Sequence, residues 1–176
     1  MKKVGVNVLL PVLRDKQLFI IVTSIFFVAL FGGMFISPVD NDTTELIAPN
    51  SLWDLIQNNI MAMLLIASGI FTFGISTFIL LPLNGLIVGT AIRNQYYQGI
   101  EIGDILLKLL PHGTFEIPAL IISGVIGLKS VKWVINSFKT FNIRNSILEE
   151  VRQLIFLLLM MIAFLIIGAV IEWYIT

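Results

Sequence analysis

The feature that most constrains the fold of this chain is a stretch without charged side chains from Ile60 to Ile92, about 33 residues long. It contains glycines, Pro82 and one strongly polar side chain, that of Asn84. One helical crossing of a bilayer needs about 20 apolar residues, so this stretch is too long for one crossing and about right for two. The chain is therefore predicted to be an integral membrane protein.

The composition agrees with that prediction and excludes several classes of function. Hydrophobic residues make up 57% of the chain and charged residues 12%, against about 25% charged in soluble domains. Residues 1–176 are predicted to form a single membrane domain, since the predicted crossings leave no room for a soluble one. The net charge is zero, so nucleic-acid binding is not expected. No cysteine occurs, which excludes disulfides and thiol catalysis.

Hydropathy and helix-start signals predict an all-α, polytopic integral membrane helical bundle. Ser51 followed by Asp54 is typical of a helix N-terminus, and a tight turn is expected at Thr72–Gly74. Amphipathic segments that are too short to cross are expected to form interfacial helices, at about residues 101–110 and 135–150. The five predicted transmembrane helices are at about residues 17–36, 51–71, 75–97, 111–134 and 154–174.

The distribution of positive charge predicts the orientation. With the N-terminus in the cytoplasm, the cytoplasmic segments hold nine of the eleven Lys and Arg residues, and the outer segments hold Arg93 and Lys108. This matches the excess of Lys and Arg that cytoplasmic loops carry. The predicted location is the cell membrane, with the C-terminus extracellular.

A set of polar residues at membrane depth forms the candidate site. The predicted helices place these side chains toward the outer half of the bundle, where their cost in lipid favours contact with one another. His112 and Glu116 are four residues apart and share a helix face. The predicted intramembrane polar cluster consists of Asn58, Asn59, Asn84, His112, Glu116 and Glu172.

The sequence leaves the role of this cluster open. Buried Asn, His and Glu side chains often only hold helices together. The alternatives are a ligand or proton site, and a metal site at His112 and Glu116, for which one histidine is a thin ligand set. Hydrolase motifs such as Gly-x-Ser-x-Gly and His-Glu-x-x-His are absent from the sequence. Neither a catalytic residue nor a bound metal or other cofactor is expected.

Two further patterns concern partners. The basic segment Lys129–Arg152 is interpreted as a face that binds lipid headgroups or, alternatively, as a docking surface for a cytoplasmic partner such as an ATPase. Gly85 and Gly89 form a small-xxx-small face on the third predicted helix. Such a face serves contacts within one chain or between copies, so a homo-oligomer is one alternative.

Specific motifs resemble a known family. They are Pro111–Ala119 (PHGTFEIPA) with the glycine-rich helix through Leu128, the pair Asn58-Asn59, the pair Asn84-Gly85 with Gly89, and the ending Ala169–Thr176 (AVIEWYIT). From about Phe26 to the C-terminus the chain resembles the stage II sporulation protein M family, also called DUF95.

The resemblance implies a polytopic membrane protein without an established enzymatic reaction. The family's namesake works in a membrane complex with a cell-wall hydrolase during sporulation, and similar proteins accompany ATP-driven transporters in bacteriocin gene clusters. We therefore expect a non-enzymatic membrane subunit or scaffold whose partners are the bilayer and other membrane or cytoplasmic proteins. The alternative is a transport component, as a permease-like partner of an exporter or in bacteriocin export or immunity.

Overall fold

The computed structural model describes residues 15–36, 51–137 and 144–175. These residues form five α-helices and a 3₁₀ turn, and none of them lies in a strand. We number the helices α1 to α5. They are α1 (Lys16–Gly33), α2 (Leu52–Ala67, followed by the 3₁₀ turn Ser68–Ile70), α3 (Ile75–Tyr97), α4 (Ile102–Ser137) and α5 (Arg144–Ile175).

Four helices are long and apolar enough to cross a membrane: α1, α3, the Gly113–Ile135 part of α4 and the Leu148–Tyr174 part of α5. The 16 residues of α2 correspond to about 24 Å at a rise of about 1.5 Å per residue. The 3₁₀ turn adds about 6 Å, and the two together approach the roughly 30 Å of the hydrocarbon core. The all-α membrane bundle is thus confirmed. That α2 is a fifth crossing helix remains a prediction.

Helix α4 lies at the centre of the bundle. In its apolar stretch 61% of the residues are buried, against 22% for α1 and for α3 and 28% for α5. The core is formed by large apolar side chains from every helix, among them Phe26, Met63, Leu81, Val125 and Leu157. The outer faces of α1, α3 and α5 expose large apolar side chains such as Val28, Ile87 and Leu159, as expected for surfaces in contact with lipid.

The helix boundaries agree with the sequence in two places. At the start of α2, the Ser51 hydroxyl accepts a hydrogen bond of 3.1 Å from the backbone N–H of Asp54, so Ser51 is the predicted N-cap. A turn lies at Phe71–Gly74. In it Gly74 has a φ of +83°, a left-handed conformation that glycine adopts without steric cost.

The break expected at Pro111 is absent. The segment 101–110 was expected to be a separate interfacial helix, but residues 102–110 are the first turns of α4. Pro111 removes one backbone hydrogen bond, but the helix continues through it, and Ile105 in the preceding turns is 1% exposed. In the same way, of the segment predicted at 135–150, residues 135–137 end α4 and residues 144–150 begin α5, and residues 138–143 lie outside the described residues. The interfacial position of both segments remains a prediction.

Close backbone contacts hold α1 against α3. A Cβ atom placed on Gly85 would lie 2.6 Å from the carbonyl oxygen of Phe26 and 3.1 Å from Cβ of Ala29. One turn further on, Gly89 and Gly33 face each other equally closely. The small-xxx-small face predicted on α3 therefore serves a contact within the chain, not one between copies.

The turn between α2 and α3 is fixed against α4. The Thr77 hydroxyl donates to the carbonyl of Ile66 at 2.7 Å, and the Ser130 hydroxyl of α4 donates to the carbonyl of Gly69 at 3.3 Å. Gly127 has no side chain and lets α4 approach this turn closely. We call this end of the bundle the turn end.

Candidate functional site

One partly buried hydrogen bond joins two residues of the predicted polar cluster. Glu116 on α4 is 6% exposed. Its Oε1 accepts a hydrogen bond from Nδ2 of Asn59 on α2. This contact joins α2 to α4.

Helix α5 packs closely against Glu116 at Gly168. A Cβ atom on Gly168 would lie 3.1 Å from Cγ of Glu116 and 3.3 Å from Cβ of Phe115. One turn away, the rings of Phe115 and Phe164 pack with their centroids 6.2 Å apart. Three helices therefore meet at Glu116, with α5 admitted close to the carboxylate because residue 168 has no side chain.

The other predicted residues occupy different environments. Asn84 on α3 donates a 2.8 Å hydrogen bond to the carbonyl of Leu80 in its own helix, and Asn58 is exposed. Glu172 is half-buried in the last turns of α5. The backbone places His112 on α4 one turn before Glu116, and its side chain lies outside the described part. The structure thus brings together Asn59 and Glu116, and it places Asn58 and Asn84 outside that contact.

A second polar cluster, at the turn end, was not predicted from the sequence. Its centre is Asp15, whose side chain is fully buried next to the start of α1. Oδ2 of Asp15 lies 2.8 Å from Nζ of Lys129 and accepts a 2.6 Å hydrogen bond from Nε2 of Gln153, and Oδ1 pairs with Nζ of Lys132. We call this set, with Glu150 and Trp133, the Asp15 network.

The Asp15 network extends to a second carboxylate. Oε2 of Glu150 on α5 lies 3.1 Å from Nζ of Lys129 and accepts a 3.0 Å hydrogen bond from Nε1 of Trp133. Among the described residues, two carboxylates thus lie within ion-pair distance of two ammonium groups. The network connects the residue before α1 with α4 and α5. Removing one partner of such a buried pair typically destabilises a protein by about 3–5 kcal/mol.

This finding corrects the interpretation of Lys129. The segment Lys129–Arg152 was expected to offer its charges to lipid headgroups or to a partner, but the side chain of Lys129 is 0% exposed and that of Lys132 is 23% exposed. The sequence spacing of the polar residues could have indicated this network. Lys129 and Lys132, and likewise Glu150 and Gln153, are three residues apart, which places each pair on one helix face beside an apolar stripe.

Comparison with known proteins identifies the family. The family model described as "Stage II sporulation protein M" matches residues 17–176. An uncharacterized protein of the archaeon Methanocaldococcus jannaschii is 35% identical over 123 residues, which is 69% of this chain and 68% of that protein.

No solved structure matches the chain. The family match includes the segment Pro111–Ala119 that contains Glu116, and it spans all five helices except the first residue of α1. The chain is a multi-pass membrane protein of the stage II sporulation protein M family.

Proposed function

We propose that this protein is a non-enzymatic membrane subunit that acts as a scaffold in a larger membrane complex. In this proposal its N-terminus and the turn end face the cytoplasm, its C-terminus lies outside the cell membrane, and its partners are other membrane or cytoplasmic proteins. The family match supports a membrane protein of this kind, and the relative from Methanocaldococcus jannaschii has no assigned activity to transfer.

The observation that carries the proposal is how the buried polar side chains are used. The Asp15 network connects α1, α4 and α5 at the turn end, and the Asn59–Glu116 hydrogen bond connects α2 and α4 farther from it. Both sets of contacts run between helices. Side chains that are engaged in this way hold a bundle in one arrangement, which is what a scaffold needs in order to present a constant surface.

A second candidate function is a transport component. It is favoured by Glu116, a carboxylate that is 6% exposed within a membrane-spanning helix. Ionisable residues in such positions often lie on proton or substrate pathways. In this alternative Glu116 gains and loses a proton during each transport cycle, and the Asn59 amide holds the carboxylate in place.

The substitution Glu116→Gln separates the two functions. Glutamine has nearly the shape of glutamate and keeps a carbonyl oxygen that accepts the Asn59 hydrogen bond, but it does not titrate. A strain that lacks the chromosomal gene is complemented with the wild type, Glu116→Gln or Glu116→Leu. The measurements are the amount of protein in the membrane, its co-purification with native partners and rescue of the deletion phenotype.

A scaffold predicts that Glu116→Gln accumulates, retains its partners and rescues the phenotype. Glu116→Leu, which cannot accept the hydrogen bond, is expected to accumulate less and to rescue in proportion to its amount. If Glu116→Gln instead accumulates normally and retains its partners but fails to rescue, the scaffold proposal is wrong and the transport function is supported.

A further inference from the structure

The exposed face of α2 differs from the lipid-facing surfaces of the other helices. Asp54, Gln57 and Asn58 are exposed on it, followed by Met61, Leu64 and Leu65. Asn58 lies six residues after the first residue of α2, or about 9 Å along the helix axis. Trp53, in the first turn, is a residue type that anchors helices at the membrane interface. With α2 as the predicted second crossing, the amides of Gln57 and Asn58 lie below the interface, where contact with lipid is unfavourable.

The spacing on this face is that of a helix-pairing seam. Asp54, Asn58, Met61 and Leu65 follow one another at intervals of four, three and four residues, as the a and d positions of a heptad repeat do. A single Asn at such a position is a well-attested device that fixes the register and the number of helices in a pair. We call these four residues the α2 stripe.

The chemistry of the stripe indicates that its occupant is a second copy of the chain. A side-chain amide is both a donor and an acceptor, so two Asn58 amides related by a two-fold axis satisfy each other. Two copies in one membrane share the same orientation, so their α2 helices run parallel and place Asn58 opposite Asn58. Asp54 lies in the first turn, near water that screens its charge, and marks the outer limit of the seam.

We propose that two copies of this protein dimerise through the α2 stripe, with an Asn58–Asn58 hydrogen bond at the centre of the contact. The small-residue faces of α1 and α3 are already used within the chain, whereas the described part of α2 presents the amides of Gln57 and Asn58 outward. The proposal is independent of the scaffold function, since it concerns residues other than Asn59, Glu116 and the Asp15 network.

Single cysteines test the geometry without interference, because the natural chain has none. Met61→Cys places a thiol on the α2 stripe. Leu159→Cys places one on the outer face of α5, at a position of matched exposure, 62% for Leu159 and 59% for Met61. Each full-length variant is purified, reconstituted in phosphatidylcholine vesicles and oxidised. We expect Met61→Cys to form a disulfide-linked dimer and Leu159→Cys to remain monomeric.

The energetic contribution of Asn58 is tested by Asn58→Leu, a change that suits a lipid-facing surface and leaves the bundle interior untouched. Resonance energy transfer between donor- and acceptor-tagged copies is measured as the protein is diluted with lipid. Asn58→Leu is expected to raise the dissociation constant roughly tenfold.

Three outcomes overturn the dimer: a wild-type protein that stays monomeric at every lipid ratio, cross-linking at residue 159 as strong as at residue 61, and an unchanged dissociation constant for Asn58→Leu. Because only purified protein is present, none of them bears on whether the scaffold binds other partners.

Discussion

Three asparagines within the membrane bundle show that the environment of a polar residue decides its contribution. Asn59 donates across to Glu116 on another helix, whereas Asn84 donates to Leu80 in its own helix. Asn58 is adjacent to Asn59 in sequence but is exposed, because successive residues of a helix point about 100° apart. The same residue type thus joins helices, satisfies its own helix or faces outward.

This difference predicts unequal effects of two matched substitutions. Asn59→Leu removes a donor from the buried carboxylate of Glu116 and is expected to lower the free energy of unfolding by about 1–2 kcal/mol. Asn84→Leu removes a hydrogen bond to a carbonyl within its own helix and is expected to cost less than about 0.5 kcal/mol. The measurement is denaturant unfolding of the purified variants in one detergent. Equal losses for the two variants would show that the Asn59–Glu116 contact has no special weight.

At the scale of elements, the pairing of α1 with α3 depends on missing side chains. Gly85 and Gly89 lie against backbone atoms of Phe26 and Leu30, so the two helices touch through their main chains. In lipid, where no hydrophobic effect drives helices together, such close van der Waals contact is a principal source of association. A side chain added at this contact fits only if the backbone of the neighbouring helix shifts. Such a shift costs more free energy than a change of side-chain rotamer.

Gly85→Ala is therefore expected to destabilise the protein by about 1–3 kcal/mol, because the new methyl group would lie 2.6 Å from the Phe26 carbonyl oxygen. The matched control is Gly32→Ala on the partner helix, where the nearest atom to the new methyl group is 3.8 Å away. Gly32→Ala is expected to be neutral or slightly stabilising, since alanine favours a helix over glycine. Thermal unfolding in detergent measures both. A Gly85→Ala protein as stable as Gly32→Ala would mean that α1 and α3 separate easily.

At the scale of the whole molecule, the bundle has two different ends. The start of α1, the end of α4 and the start of α5 meet in the Asp15 network, and the turn between α2 and α3 lies beside them. Glu116 and Asn59 lie nearer the opposite end. The lysines predicted to face the cytoplasm include Lys129 and Lys132, and these belong to the network.

The predicted orientation is tested by the accessibility of single cysteines in intact cells. Glu45→Cys is expected to react with a membrane-impermeant maleimide added from outside, and Thr140→Cys is expected to react only after the membrane is permeabilised. Labelling both variants after permeabilisation controls for thiol reactivity. The reverse pattern would place the Asp15 network on the outer side and would remove the cytoplasmic assignment of the N-terminus.

The sequence alone determined that this chain forms an all-α membrane bundle, where α2 begins and where the α2–α3 turn lies. The physical reason is that these features are local. A charge-free stretch such as Ile60–Ile92 has to be helical in lipid, because its backbone polar groups find no water. Ser51, three residues before its donor Asp54, caps a helix that starts at Leu52, and the glycine-rich face of α3 is read from its spacing.

Only the tertiary structure decided which polar residues meet and where helices continue. Asp15 and Lys129 lie far apart in the chain and show no periodic relation, so their ion pair exists only because α1, α4 and α5 converge. Pro111 is a helix breaker by local rules, but α4 continues through it, and Ile105 in the preceding turns is buried. Asn58 and Asn59 are neighbouring residues of the same type. Their different roles follow from which face of α2 packs against the bundle. Such contacts depend on the position of every helix at once, which no single segment of sequence specifies.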